Sequence, residues 1–213
     1  MGHSITGRAL SEGKWSCTAT DIRDFATDKR KTVDDTPYGG GAGMVMRADV
    51  VAEAIEHAKK ETPNAPVVFM TPTGTPFNQG MANRWAAGEG VILLCGHYEG
   101  IDQRVLDALV DEEVSIGDYV LTGGEIAVYP VLDATIRQLP GVLGNDETLA
   151  EESFSPALEG LLEYPHYTRP EEWRGQTVPE VLKSGHHAKI DAWRKEQSIA
   201  KTQKVRPELL KKK

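Results

Sequence analysis

Residues 91–125 of the chain read VILLCGHYEGIDQRVLDALVDEEVSIGDYVLTGGE. The apolar run 91–95 predicts a buried strand, and a short amphipathic helix is predicted over 102–110. Residues 114–116 predict a second strand, so each of the two strands leads into a loop that carries glycine. Open α/β sheets bind their ligands at the carboxyl ends of strands. The stretch therefore predicts an α/β fold with a ligand site formed by these two loops.

Strand and helix patterns alternate on both sides of this stretch. Residues 66–70 predict a strand that ends in a turn at 71–74, and helices are predicted over 48–61, 78–87 and 125–139. Strands that alternate with helices imply parallel βαβ units. We therefore expect a mostly parallel sheet covered by helices.

The N-terminal third has weaker patterns. Alternation over 15–19 predicts a short strand, and the charged segment 21–37 predicts an exposed loop. Residues 38–43, YGGGAG, hold four glycines, but the Gly-Lys-Ser/Thr of a phosphate loop does not follow them. A ligand contact and a structural turn both remain open for this loop.

Charge divides the chain unevenly. Residues 1–165 contain 12 Lys/Arg and 26 Asp/Glu, whereas residues 166–213 contain 12 Lys/Arg and 6 Asp/Glu. Between them, residues 140–157 lack periodicity and predict a linker, and two helices are predicted over 178–185 and 186–201. The basic end is compatible with local binding of a polyanion and equally with a merely solubilising C-terminus.

Composition indicates a globular protein in a reducing compartment. The chain has 213 residues with 39% hydrophobic content, and it lacks an apolar run of membrane-spanning length or a signal peptide. Cys17 and Cys95 stand in different contexts, so two thiols are expected rather than a disulfide. These features predict a cytoplasmic protein with no membrane partner.

Common catalytic motifs are absent. The six histidines form no HExxH pattern, no CxxC pair is present, and neither a GxSxG elbow nor a GxGxxG fingerprint occurs. We therefore predict no protein-held metal site. A nucleotide-like ligand would be bound by the loops that follow the predicted strands. Residues there that can surround an adenine with main-chain groups and apolar contacts are Gly96, Ile116, Tyr119, Leu121, Gly123 and Gly124.

Five motifs extend this interpretation to a known family. They are YGGGAGM at 38–44, CGHYEGID at 95–102, SIGDYVLTGGE at 115–125, PGVLG at 140–144 and PHYTRP at 165–170. In this order they resemble the bacterial tRNA (guanine-N1)-methyltransferases of the TrmD type, which belong to the SPOUT class. The resemblance runs from about Ile5 to Leu210.

The resemblance implies a SPOUT-type α/β fold with a parallel sheet and a deep trefoil knot. Residues 1–144 would form the knotted domain that binds S-adenosylmethionine (AdoMet), 145–165 a flexible linker, and 166–213 a small helical domain that binds tRNA. An obligate homodimer would build each active site from both subunits. Family members usually begin with a strand before the stretch that resembles ITGRAL, so the first strand of the sheet is expected to be missing here or built differently.

The implied activity is methylation of N1 of the guanine on the 3′ side of the anticodon, G37, with AdoMet as methyl donor. N1 of neutral guanine carries a proton, so a base must remove it and a cation must stabilise charge on O6. By motif match these catalytic residues are Glu152 and Arg137. Better-known members have Asp where Glu152 stands, and Glu151 is a rival for the same role.

The resemblance also implies which residues hold AdoMet. Phe69 and Met70 would flank the adenosine, and Tyr98 and Glu99 would contact the guanine or the methionine part. The full expected set is Phe69, Met70, Thr71, Gly96, Tyr98, Glu99, Ile116, Gly117, Asp118, Tyr119, Val120, Leu121, Gly123 and Gly124. Whether the enzyme also uses a magnesium ion is left open. Two alternatives remain: a non-catalytic RNA-binding protein on the same fold, and a SPOUT enzyme that methylates another RNA.

Overall fold

The structure is a computed structural model that describes residues 1–144, 149 and 151–211. The chain divides into two compact units, Met1–Leu143 and Gly144–Lys213, which are described separately below. Within the described residues, no helix is both long and apolar enough to cross a membrane.

The strands are β1 (Asp34–Asp35), β2 (Val45–Met46), β3 (Val67–Pro76), β4 (Ile92–Cys95), β5 (Glu112–Ser115), β6 (Glu172–Trp173) and β7 (Gln176–Thr177). The helices are α1 (Ser4–Ser11), α2 (Ala48–Glu61), α3 (Gln79–Ala86), α4 (Gln103–Leu109), α5 (Glu125–Ile136), α6 (Glu180–Lys183) and α7 (His187–Val205). Short 3₁₀ turns lie at Ile22–Phe25 and Pro207–Lys211.

A parallel sheet with the order β4-β3-β5 forms the centre of the first unit. Val68 of the middle strand pairs with Leu93 on one side and with Glu112 on the other. The first four residues of β3 are all apolar and buried, as is typical of a parallel strand that is covered on both faces. The predicted α/β class with a parallel sheet is confirmed.

Helices cover both faces of this sheet. Side chains alternate along β3, so Phe69 points to one face while Val68 and Met70 point to the other. On the Phe69 face the core includes Val51, Ile55, Val105 and Leu106 from α2 and α4. On the other face it includes Trp85, Ala127 and Val131 from α3 and α5.

The predicted end of the first core strand at residue 70 is wrong. β3 continues to Pro76, and Val114 pairs with both Met70 and Thr75, so the four residues between them form a bulge. Pro72 has no N–H group to give to a ladder, which favours a bulge at this point. A Cβ on Gly74 would lie 2.4 Å from the amide nitrogen of Val114, so glycine lets the strand return to its partner.

The N-terminal prediction is also wrong. Residues 15–19 form no strand, and helix α1 lies in a segment for which no helix was predicted. Trp15 explains the difference, because its indole N–H donates to the carbonyl oxygen of Thr6 (2.9 Å) and its ring packs near Ala9 and Ile136. Its side chain therefore anchors an irregular segment onto α1.

The predicted helices of the remaining chain are confirmed with small shifts in their ends. α2 spans 48–61 as predicted, and α4 begins after Asp102, whose carboxylate accepts the amide of Arg104 and caps the helix. In the second unit the two predicted helices are α6 and α7, and α7 runs four residues beyond its predicted end at 201.

Candidate active site at the strand ends

The two glycine loops meet at the carboxyl end of the sheet. The amide of Gly124 donates a hydrogen bond to the carbonyl oxygen of Gly96 (3.0 Å). Gly96 follows β4, and Gly124 precedes the first residue of α5. Loops that are far apart in sequence are thereby joined at the edge where α/β sheets hold ligands.

This close approach depends on glycine at both positions. A Cβ on Gly124 would lie 2.8 Å from the Cα of Cys95, and one on Gly96 would lie 2.8 Å from Cε2 of Phe69. A larger residue at position 124 would push against backbone, which cannot rotate away as a side chain can. Phe69 is buried beneath the loop and forms its floor.

A side-chain pair holds the same loops together. Nε2 of His97 and Oε1 of Glu125 are 2.6 Å apart. Burial is the largest single influence on Glu125 and acts to raise its pKa. The hydrogen bond from His97, a hydrogen bond to the backbone amide of Glu125 and the charge of His97 together outweigh burial, so the pKa lies below its usual range. A Cβ on Gly123 would lie 2.7 Å from both side chains, so glycine there leaves room for the pair.

The glycine-rich loop 38–43 packs against the loop after β4. The amide of Glu99 donates to the carbonyl oxygen of Met44 (3.0 Å), and the amide of Met46 donates to that of Gly100 (2.9 Å). A Cβ on Gly43 would overlap the carboxyl end of Glu99. The glycine-rich loop therefore has a structural role, because it packs against the loop after β4 at one side of the candidate site.

The loop after β5 is a tight turn with an exposed apolar surface. The hydroxyl of Ser115 bonds both the amide and the carbonyl oxygen of Gly117, and the hydroxyl of Tyr119 donates to the carbonyl oxygen of Ile116 (3.2 Å). The next side chains face solvent: Tyr119 is 54% exposed and Val120 is 84% exposed. An adenine ring needs apolar cover and main-chain partners, and this edge offers both.

The predicted AdoMet residues occupy two kinds of position. Phe69 and Met70 are buried on opposite faces of the sheet and support the loops from below. Thr71 lies in the bulge, where its hydroxyl bonds that of Thr73. The remaining predicted residues lie on the loops just described, half-buried or exposed except for buried Gly124: Gly96, Tyr98, Glu99, Ile116, Gly117, Asp118, Tyr119, Val120, Leu121, Gly123 and Gly124.

Tyr98 is held in an unusual backbone conformation. Its φ is 58°, in the left-handed region that non-glycine residues rarely adopt, and its side chain is exposed beside His97. Strained backbone of this kind is common where a protein presents a side chain to a ligand.

Both cysteines are free, as predicted. Cys95 lies beneath the loop junction, and burial together with the charge of Glu125 raises its pKa to about 11. The group is therefore a neutral thiol at physiological pH and unsuited to act as a nucleophile.

The two predicted catalytic residues lie in different units. Arg137 follows α5 as its C-cap and is half-buried, at the end of the helix where a cation is favoured. Glu152 is half-buried, and its carbonyl oxygen accepts the amide of Ser155 (3.1 Å).

Glu151, the rival of Glu152, has a structural partner. Its Oε2 accepts a hydrogen bond from the hydroxyl of Tyr164 (2.9 Å), and Tyr164 is buried. Burial, with the hydrogen bond to Glu151, raises the pKa of Tyr164 to about 12. The contact gives Glu151 an anchoring role.

Sequence reasoning missed the His97–Glu125 pair and the Gly43–Glu99 contact. The members of each pair are distant in sequence, and spacing carries no signal for such contacts. Among the residues that the structure describes, His, Cys, Asp and Glu side chains do not group in threes that could hold a metal ion.

Comparison with known proteins identifies the family. The family model described as tRNA (guanine-1)-methyltransferase TrmD matches residues 1–212. The tRNA (guanine-N(1)-)-methyltransferase of Rhizorhabdus wittichii is 56% identical over 209 residues, and those of Sphingopyxis alaskensis and Novosphingobium aromaticivorans are 57% and 58% identical. Each alignment covers 98% of this chain and 84% of the relative. The chain therefore belongs to the tRNA (guanine-1)-methyltransferase TrmD family and is an enzyme, as the motifs predicted.

Proposed function

We propose that this enzyme transfers the methyl group of AdoMet to N1 of the guanine on the 3′ side of the anticodon in tRNA. Membership of the family supports methyl transfer to tRNA as the reaction. The names of the relatives support N1 of guanine as the atom that accepts the methyl group. The observation on this chain that supports a methyl-donor site is the Gly96–Gly124 junction at the carboxyl edge of the parallel sheet.

The loops that meet there would bind the adenosine part of AdoMet. Main-chain groups of Gly96 and Gly123 would face the adenine, with Ile116, Tyr119 and Leu121 as apolar cover. These are the residues whose exposed or half-buried position leaves them accessible to a ligand. AdoMet supplies an electrophilic methyl group on a positively charged sulfur.

Glu152 would act as the general base. Its carboxylate takes the proton from N1, which frees the nitrogen lone pair to form the new N–CH₃ bond while the bond from the methyl carbon to sulfur breaks. Arg137 would place its guanidinium against the guanine O6, where negative charge develops as N1 loses its proton. A proton thus ends on Glu152 and the methyl group ends on N1.

We also propose the finer architecture that the family implies. The AdoMet domain at 1–144 would contain a deep trefoil knot, 145–165 would be a linker, and 166–213 would bind tRNA. The excess of Lys/Arg over Asp/Glu in 166–213 supports contact with phosphate groups. We propose a cytoplasmic location, since the substrate is tRNA.

A homodimer is supported by the surface of α5. This helix is apolar on nearly all sides, and Ile126 and Tyr129 are 55% and 56% exposed in the single chain while Val131 is buried in the core. Exposed apolar side chains next to a buried face favour cover by another protein surface. A second copy of the chain is the proposed cover.

The proposal is tested by separating AdoMet binding from methyl transfer. Glu152→Gln and Arg137→Ala should keep the AdoMet dissociation constant within about twofold while lowering single-turnover transfer by about 100-fold or more. Glu151→Gln is the matched control, since it changes the neighbouring acid that bonds Tyr164. Wild-type turnover in Glu152→Gln, or a loss confined to Glu151→Gln, would overturn the assignment of the base.

A further inference from the structure

Helix α7 carries two buried hydroxyl groups that bond a single residue of the preceding segment. Ser198 is 2% exposed and Thr202 is 0% exposed. The hydroxyl of Ser198 donates to the carbonyl oxygen of Leu162 (2.5 Å), and the amide of Leu162 donates to Oγ1 of Thr202 (3.0 Å). Both main-chain groups of Leu162 are thus held by one turn of α7.

The hydrogen bonds of this contact form a closed set. Oγ1 of Thr202 donates its own proton to the carbonyl oxygen of Ser198 (2.8 Å), which leaves the oxygen lone pairs to accept the Leu162 amide. Burying a hydroxyl group without a hydrogen bond costs free energy. Two buried hydroxyl groups that are both hydrogen-bonded therefore indicate a specific contact. Apolar packing alone could dock the segment, whereas these bonds also fix which residue of the segment lies over α7.

Other residues on the same side of α7 hold the same segment. The guanidinium carbon of Arg194, one turn before Ser198, lies 4.8 Å from the ring centroid of Tyr164. Nζ of Lys195 lies 2.9 Å from Oε1 of Glu159. Arg194, Ser198 and Thr202 are spaced by four residues and therefore share one helix face.

The held segment leads directly to Glu152. The residue before it, Glu151, bonds the hydroxyl of Tyr164, and the residue after it, Ser153, accepts the amide of Glu163 with its hydroxyl (2.9 Å). Glu163 and Tyr164 follow Leu162 in the chain. Both neighbours of Glu152 are thus tied to residues next to the one that α7 holds.

We propose that Ser198 and Thr202 are positioning residues for the general base. By fixing Leu162 on α7 they set the position of the 151–153 turn, and so the placement of the Glu152 carboxylate. This inference rests on the proposed role of Glu152. It assigns to the C-terminal helix a part in the chemical step in addition to contact with tRNA.

The test uses Thr202→Val in the full-length enzyme, because valine keeps the shape of threonine but offers no acceptor to the Leu162 amide. We expect single-turnover methyl transfer at saturating tRNA and AdoMet to fall about tenfold or more, while both dissociation constants stay within about twofold. Thr202→Ser keeps the hydroxyl and should restore transfer to within about threefold of wild type. Gln203→Ala, an exposed change on the same helix, is the control.

A double-mutant cycle separates positioning from simple stabilisation. If Thr202 acts through Glu152, adding Thr202→Val to Glu152→Gln should lower the residual transfer rate by less than about twofold, measured in long single turnovers with labelled methyl groups. If the reductions in transfer rate caused by the two substitutions multiply in the double variant, the proposal is overturned. It is also overturned if Thr202→Val weakens only the binding of tRNA. Should Thr202→Val fail to fold, Ser198→Ala, which removes the donor to Leu162, is expected to show the same pattern.

The outcome also distinguishes the inference from the proposed function. Full activity of Glu152→Gln alone would remove the base assignment, whatever Thr202→Val does. An inactive Glu152→Gln together with a fully active, folded Thr202→Val and Ser198→Ala would leave the function standing and refute the positioning role.

Discussion

The amide of Gly124 lies 3.0 Å from the carbonyl oxygen of Gly96, and this hydrogen bond joins the end of β4 to the start of α5. Each partner lacks a side chain because there is no space for one: Cys95 backbone lies against one position and the Phe69 ring against the other. The junction therefore defines the shape of the edge at which the methyl donor is proposed to bind.

Gly124→Ala tests this junction. The added methyl group would meet backbone of Cys95 at 2.8 Å, so the loop and the helix start must separate. We expect a loss of about 1–3 kcal/mol in the free energy of unfolding, as for other overpacked sites, and at least tenfold weaker AdoMet binding by calorimetry. Gly88→Ala is the control, because its nearest neighbour would be an ordinary 3.5 Å contact. Equal effects of the two changes would contradict the account.

The His97–Glu125 pair predicts a pH dependence of stability. The pKa of Glu125 is lowered in the folded state, so its contribution is present above the ordinary pKa of a glutamate and is lost as pH falls through the lowered value. Both side chains are substantially exposed, so we expect the effect to be below about 1 kcal/mol and to shrink with salt. Urea unfolding of wild type and Glu125→Gln at pH 7 and at pH 3 measures it. A difference between the two proteins that grows on acidification would be inconsistent with the pair.

Thiol reactivity distinguishes the two cysteines. Cys17 is exposed, whereas burial and the charge of Glu125 raise the pKa of Cys95 to about 11. At pH 8 a disulfide reagent should modify Cys17 quickly and Cys95 only on unfolding, with Cys17→Ser as control. The pKa of the Cys95 thiol is higher in the folded protein than in the unfolded chain. The contribution of this thiol to the free energy of unfolding is therefore fully present below pH 9.0 and declines as the pH rises toward 11. Rapid labelling of Cys95 in the native protein would refute its burial.

The exposed face of α5 predicts the oligomeric state. Ile126→Glu combined with Tyr129→Glu places two charges on the surface proposed to contact a second chain, so light scattering should show a dimer for wild type and a monomer for the variant. Ile199→Glu, on a partly exposed apolar position of α7, should remain dimeric. A wild-type monomer at micromolar concentration would exclude the proposed cover, and a dimeric double variant would locate the interface elsewhere.

Local patterns in the sequence were sufficient for the elements around the site. The 3.6-residue periodicity of 48–61 predicted α2 with its observed ends, and the apolar runs predicted that β3 and β4 belong to a parallel sheet. Periodicity failed where single side chains decide the path: Trp15 anchors a segment that alternates like a strand, and Pro72 with Gly74 turns an expected strand end into a bulge.

The candidate site also has features that local sequence patterns predict and contacts that they do not. Glycines and a strand end predicted that the 96–100 and 117–124 loops would come together, because sheets place such loops at one edge. The contacts that close the site are between residues distant in sequence, such as His97 with Glu125 and Leu162 with Thr202. No spacing rule links these residues, so they become visible only once the chain is folded.

The most direct test is transfer of a labelled methyl group from AdoMet to two matched tRNA transcripts, one with guanine on the 3′ side of the anticodon and one with adenine there. The account predicts about one methyl group per molecule of the first transcript, recovered as N1-methylguanosine after nuclease digestion, and only background incorporation into the second. Equal incorporation into both transcripts, or methylation recovered on another base, would contradict it.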